Sequence, residues 1–329
     1  MTALVTRRDF LQHSSCLLAG TAAAALLGRS VPAAEPGNPL TLACGDATLK
    51  NVPAADCWTA LKAIGAQGIE ANISLDLSFP GLFHPTRKYS AATPEDLATL
   101  QADMQAAGCK ITAFLMSNQF DVRPEQEVTW VIKAAQAAQA LGVPAIRIDV
   151  VNRKPNAGDF LPATVATLKR ILAGSESTGL VFGVENHGRT TNDPEFLDAL
   201  FAGVGSKRLG LTLDTGNFYW FGHPLSKLYD LYAKFAPRVF HTHCKSIKYP
   251  ADQRDTQRPI GWKYGEFNCP IDQGDIDFRR VIKILRDAGY RYDLCIENES
   301  LGKLPEADRQ AALAKEIQYL KDLKRDSLT

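Results

Sequence analysis

Leu209-Gly210-Leu211-Thr212-Leu213-Asp214-Thr215-Gly216-Asn217 begins as an apolar run and ends on an acid and a turn. Such a run, too apolar to alternate and closed by a glycine, reads as a strand buried on both faces, as in parallel sheets. Working outward, three further runs end the same way. Leu180 to Glu185 leads into Asn186-His187, Arg238 to Cys244 carries His241-Thr242-His243 and then Lys245, and Tyr292 to Glu297 leads into Asn298. Each delivers an acid or an imidazole where a strand meets its loop.

Strand-like and helix-like runs alternate from residue 40 onward. Leu40 to Cys44 precedes a helix from Asp56 to Ala66, and Gly68 to Ile73 precedes a helix opened by Thr93-Pro94-Glu95-Asp96, a cap followed by proline at the first helical position. Lys110 to Met116 is followed by a helix from Pro124 to Leu141, and Pro144 to Val150 by one from Leu161 to Ser177. Helices from Asp193, from Leu225 to Phe235, from Phe278 to Ala288 and from Glu306 to Leu323 follow the four acid- or imidazole-bearing runs. About eight βα units in roughly 290 residues predict a single (β/α)8 TIM barrel. A doubly wound open sheet would normally carry a G-x-G-x-x-G turn after its first strand, and Cys44-Gly45-Asp46-Ala47 has none. The second and seventh βα loops, residues 74–92 and 245–276, are long. At a barrel's C-terminal mouth such loops cover or shape the site.

The first 33 residues stand apart from this pattern. Arg7-Arg8-Asp9-Phe10-Leu11 precedes an apolar stretch from Cys16 to Leu27 and small residues around Val31-Pro32-Ala33, which predicts a twin-arginine export signal over 1–33, a barrel over 34–329 and a periplasmic or otherwise exported protein. About twelve apolar residues are too few to span a bilayer, so no stable membrane span is expected after cleavage. Without Arg7, Arg8, Arg29 and Asp9 the formal charge moves from +1 to −1, which gives nucleic-acid binding no electrostatic support. The cysteines beyond the signal, from Cys44 to Cys295, show no zinc-ribbon spacing and read as buried thiols. A homo-oligomer is left open.

In a barrel all βα loops open at one end, so residues far apart in sequence meet at one mouth. Glu185, Asp214, His243 and Glu297 fall on the fifth to eighth strands and are the candidate metal ligands. Strand alternation puts His241 and His243 on one face, with His243 nearer the mouth and His241 a layer deeper. Three carboxylates pressed together repel and raise one another's pKa unless a cation sits among them. Oxygen ligands with one imidazole suit a single divalent ion, Mn²⁺, Co²⁺ or Mg²⁺ foremost, with Zn²⁺ also compatible.

Glu185-Asn186-His187-Gly188, Asp214-Thr215-Gly216-Asn217, His241 to Lys245, Glu297 and Gln273-Gly274-Asp275-Ile276-Asp277-Phe278 together resemble the xylose-isomerase-like superfamily of sugar isomerases and epimerases, over essentially the whole chain beyond the signal. The resemblance implies that Glu185 and Glu297 both bind metal and form the acid/base pair, while Asp214 and His243 only hold the ion. It implies a carbohydrate substrate that loses a proton beside its carbonyl to give an enediolate. Returning the proton gives isomerisation or epimerisation, and expelling a β-hydroxyl gives dehydration. Asn217 stands where the epimerases often place a substrate-binding histidine, and Ser246 where an aspartate is frequent, so the substrate is left open. His187, Asn217, Lys245 and Trp262 are the candidate substrate contacts. Arg147, Arg189 and Lys248 read either as solvated cations or as carboxylate binders. The alternatives to an isomerase are a keto-sugar dehydratase or lyase, a non-catalytic carbohydrate-binding barrel, and a phosphodiesterase on about three zinc ions, for which the chain has few histidines.

Overall fold

The structure is a computed structural model that describes residues 40–154 and 159–326. The predicted export signal lies outside the described residues. Eight parallel strands close a barrel: β1 (Thr41–Gly45), β2 (Gly68–Asn72), β3 (Lys110–Met116), β4 (Ala145–Ile148), β5 (Val181–Glu185), β6 (Leu209–Asp214), β7 (Val239–Cys244) and β8 (Asp293–Ile296). Each strand pairs with its neighbours in sequence, and β8 returns to β1. The principal helices alternate with them: α1 (Cys57–Ala63), α2 (Pro94–Ala107), α3 (Pro124–Leu141), α4 (Phe160–Gly174), α5 (Pro194–Val204), α6 (Leu225–Phe235), α7 (Phe278–Asp287) and α8 (Glu306–Asp326). The predicted (β/α)8 barrel is the observed fold. No helix among the described residues is long and apolar enough to cross a membrane.

Local chemistry sets the helix starts. The Thr93 hydroxyl accepts from the Asp96 amide at 3.1 Å, and Asp277 accepts from the amides of Arg279 and Arg280. Both satisfy amides that a helix start would otherwise leave unpaired. Helix α7 then buries Phe278, Val281, Ile282 and Leu285, one face at helical spacing. Burying each such side chain is worth about 1.5–3 kcal/mol, so packing rather than propensity holds the helix to the barrel.

The long connection from β7 to α7 is stapled down. It contains a two-stranded antiparallel ribbon, Ser246–Ile247 with Asn268–Cys269. The Arg258 guanidinium lies 4.5 Å and 4.3 Å from the ring centroids of Tyr219 and Tyr249, and donates to the carbonyls of Tyr219 and His223 at 3.2 and 2.9 Å. Asp275 accepts from the Tyr249 amide at 2.8 Å and the Tyr219 hydroxyl at 3.1 Å, and pairs with Arg254 at 2.9 Å. Gly274 is needed here, since a Cβ on it would lie 1.9 Å from the Ser246 hydroxyl. The Gln273 to Phe278 segment thus anchors the loop and caps the next helix.

Candidate metal centre

Glu185 ends β5, Asp214 ends β6, His243 is the penultimate residue of β7 and Glu297 follows β8. Parallel register sets Asp214 beside His243 and His243 beside Cys295, so these strand ends lie level around one arc of the rim. One ligand atom from each of Glu185, Asp214, His243 and Glu297 lies within 4.8 Å of all the others. A divalent ion bonded at about 2.1–2.4 Å sets its opposed ligands about 4.2–4.8 Å apart, so these atoms fit one ion.

The backbone around each ligand is built to hold it. Asn186 lengthens the β5–β6 pairing with its side chain, donating to the Asp214 carbonyl at 2.9 Å and accepting the Asp214 amide at 2.8 Å. The Asp214 Oδ1 atom accepts from the amides of Gly216 and Asn217 at 2.8 and 2.9 Å, which turns the chain and aims Oδ2 inward. That Oδ2 is buried without a hydrogen bond, facing the Lys245 ammonium at 2.8 Å outside hydrogen-bonding geometry. A buried carboxylate oxygen so placed is a donor awaiting a cation. Burial, with Glu297 and Glu185 adding to it and Lys245 and His243 opposing, pushes the Asp214 carboxyl up to about 8.

His243 turns Nδ1 toward Glu185 (3.0 Å) and Glu297 (3.7 Å) and gives Nε2 to Glu70 at 2.9 Å. Metal-bound imidazoles characteristically hold their second nitrogen this way. Glu70, on β2, also receives His241 Nε2 at 2.9 Å, and His241 Nδ1 meets Asp293 at 2.9 Å. His241 therefore occupies the deeper layer, backing His243 through one shared carboxylate oxygen. Burial opposes charge on both imidazoles, yet the acids around them hold His243 well above its ordinary value and His241 up to about 9. Burial would raise the Glu70 carboxyl, and the two imidazoles bring it well below the usual carboxylate range.

Two cations read as solvated or substrate-binding are buried instead. Arg147, on β4, donates through Nε to Glu185 Oε2 at 2.7 Å and also through Nη2 to that oxygen. The correction has a simple cause: alternation turns its side chain into the barrel beside a ligand. Lys245 Nζ lies 2.7 Å from Glu297 and 3.0 Å from Glu299, whose other oxygen accepts from the Tyr264 hydroxyl at 2.5 Å. Arg189 and Lys248 are exposed. Among the candidate substrate contacts, His187 meets Asp149 at 3.0 Å with a half-exposed ring, while Asn217 donates to Glu185 Oε1 at 3.3 Å. Trp262 stacks on Phe267 and leans on Tyr249 within the long loop. Glu70, Asp149, Asp293 and Glu299 were not singled out from the sequence, although Glu70 interrupts an otherwise apolar strand, which is the available signal. The cysteines from Cys44 to Cys295 are free thiols, four of them buried.

The family model described as Xylose isomerase-like TIM barrel matches residues 58–323. Inosose dehydratase of Klebsiella pneumoniae is 32% identical over 123 residues, 36% of this chain and 38% of that protein, so the match spans well under two thirds of the relative's length. A xylose isomerase-like TIM barrel protein from Mycobacterium smegmatis in complex with magnesium superposes with a TM-score of 0.63 at 15% identity, covering 88% of this chain and 98% of the other. The IOLI protein with a bound zinc atom superposes with a TM-score of 0.62 at 19% identity, covering 87% and 99%. At these identities the superpositions show a shared fold.

Proposed function

Because the chain belongs to the Xylose isomerase-like TIM barrel family, we propose that it is a metal-dependent enzyme that removes a proton beside the carbonyl of a keto-sugar or ketonic polyol and passes through an enediolate. The observation that carries this reading is the convergence of Glu185, Asp214, His243 and Glu297 within 4.8 Å, with Asp214 Oδ2 buried and lacking a hydrogen bond. A divalent ion held there would act as a Lewis acid on the substrate carbonyl and its neighbouring hydroxyl. The chain's own residues supply the rest. Glu297, at the mouth and partly exposed, meets the substrate C–H, and His187 with Asp149 lies ready to bind a hydroxyl. Lys245 supplies a positive charge beside the developing oxyanion.

Isomerisation or epimerisation and dehydration share this first step. Dehydration gains support from the similarity to inosose dehydratases. We further propose that the Arg7-Arg8 segment directs export, which would favour free rather than phosphorylated substrates. The test is exchange in D₂O: Mn²⁺-loaded protein should move solvent deuterium into the carbon beside the carbonyl of inosose or a free ketohexose. Absence of exchange across such a panel, with one bound ion per chain verified by elemental analysis, would sink the reading.

A further inference from the structure

We propose that proton transfer at this site is one-sided: Arg147 reserves Glu185 as a ligand, and Glu297 with Lys245 carries both proton movements of a dehydration. The proposal rests on the metal-dependent reading above and selects among its outcomes.

Both oxygens of Glu185 are taken. Oε2 receives Arg147 Nε at 2.7 Å and also Nη2, while Oε1 receives Asn217 Nδ2 at 3.3 Å and faces His243 Nδ1 at 3.0 Å. The Glu185 side chain is 2% exposed and that of Arg147 6%. Arg147 is pinned in turn, because Nη1 donates to the Met116 carbonyl at 2.9 Å and Nη2 lies 4.0 Å from Asp149. Swinging it aside would strand two buried charges. Glu297 differs on each count: its side chain is 24% exposed, and among the described residues Oε1 has no hydrogen bond.

Epimerisation by two bases needs them on opposite faces of one carbon, about 3 Å from it on each side and so about 6 Å apart. The ligand atoms of Glu185 and Glu297 lie within 4.8 Å of each other. Glu297 and Lys245, in contact at 2.7 Å, approach a substrate from the same side. That arrangement suits elimination. The Glu297 carboxylate takes the proton beside the carbonyl, and the C–H electron pair passes into the enediolate. As that pair forms the new C=C bond, the β C–O bond breaks and the departing hydroxide takes a proton from the Lys245 ammonium, leaving as water. Glu297 then returns its proton to the Lys245 amine across their contact. The sum is keto-polyol to unsaturated ketone plus water, with both side chains restored.

The experiment uses the Mn²⁺-loaded protein in D₂O with inosose and D-fructose as probes, following deuterium uptake, epimer formation and ultraviolet absorbance. Expected is loss of water from inosose, with epimer of either probe at no more than about one hundredth of the exchange. With Mn²⁺ saturation of each variant established by titration calorimetry, Glu185→Gln should bind the ion about 10- to 100-fold more weakly yet keep exchange within about tenfold, whereas Glu297→Gln loses exchange at least about a hundredfold. Arg147→Met should raise the epimer fraction and Arg147→Lys should hold it low. Should Arg147→Met not fold, the wild-type stereochemistry decides. Epimer formed as fast as exchange, or equal loss in the two glutamate variants at saturating metal, overturns the proposal while leaving the metal-enediolate reading intact. No exchange from either probe removes that reading and the proposal with it.

Discussion

Glu316 on α8 offers a sharp quantitative test of how the site is supported. Its side chain is fully buried, Oε2 accepting from Asn298 Nδ2 at 2.7 Å and Oε1 from the Ile271 amide at 2.8 Å. One carboxylate thus ties the helix to the residue after Glu297 and to the long β7–α7 loop. Burial outweighs those hydrogen bonds and pushes its carboxyl up from 4.5 to about 7. A carboxyl raised by folding binds more protons in the folded chain than in the unfolded one between those two values. Its contribution to stability is therefore fully present below about pH 4.5 and is lost as pH rises through about 7. At about 1.4 kcal/mol per pH unit the loss is on the order of 3 kcal/mol. Glu316→Gln removes the titration, and whatever it costs in hydrogen bonding is independent of pH. Urea denaturation of both proteins across about pH 4.5 to 8, with chelator present to exclude metal linkage, should show the wild type losing about 3 kcal/mol relative to the variant. Asp46, pushed up to about 6 mainly by burial, titrates in both and cancels. Profiles that stay parallel within about 0.5 kcal/mol would refute the assignment of this buried charge.

Further outcomes follow from other contacts. A metal ion must displace the proton that Glu70, Glu297 and Glu185 hold on His243 against its burial, so metal affinity should climb and protons be released between about pH 6 and 8; calorimetry showing a pH-independent affinity would count against His243 as a ligand. Arg258→Lys keeps the charge but loses the planar fork over Tyr219 and Tyr249, so about 2–3 kcal/mol of stability should go and proteolysis within residues 245–277 should speed up; an unchanged urea midpoint would argue that the loop is held elsewhere. Gly274→Ala should cost about 1–3 kcal/mol, and Ser246→Gly in the same chain should recover most of it because the clash is with that side chain; a deficit unmoved by the second change would place the strain in the backbone.

Much of this architecture was legible in the linear chain for a physical reason: strand and helix periods are local. Strand β6 at Leu209–Asp214 and helices α3 at Pro124–Leu141 and α6 at Leu225–Phe235 fall where periodicity and caps put them. Elsewhere the ends move by a few residues, as where Leu161 to Ser177 becomes Phe160–Gly174, because the last turn depends on what it packs against. The convergence of Glu185, Asp214, His243 and Glu297 needed only the strand count and the rule that strand C-termini share one mouth. Alternation was enough to separate His243 from His241.

What the chain alone determined, then, was an eight-unit barrel and the identity of the acids and imidazole at its rim, since both arise from local pattern and symmetry. Only the tertiary structure decided which charges neutralise which. Arg147 and Glu185 are separated by 38 residues, and Glu70 and His243 by 173, yet each pair meets because barrel closure points alternate side chains from different strands into one small interior. No local rule assigns partners there, because the low-dielectric interior makes the energy of each charge depend on every other charge within a few ångströms.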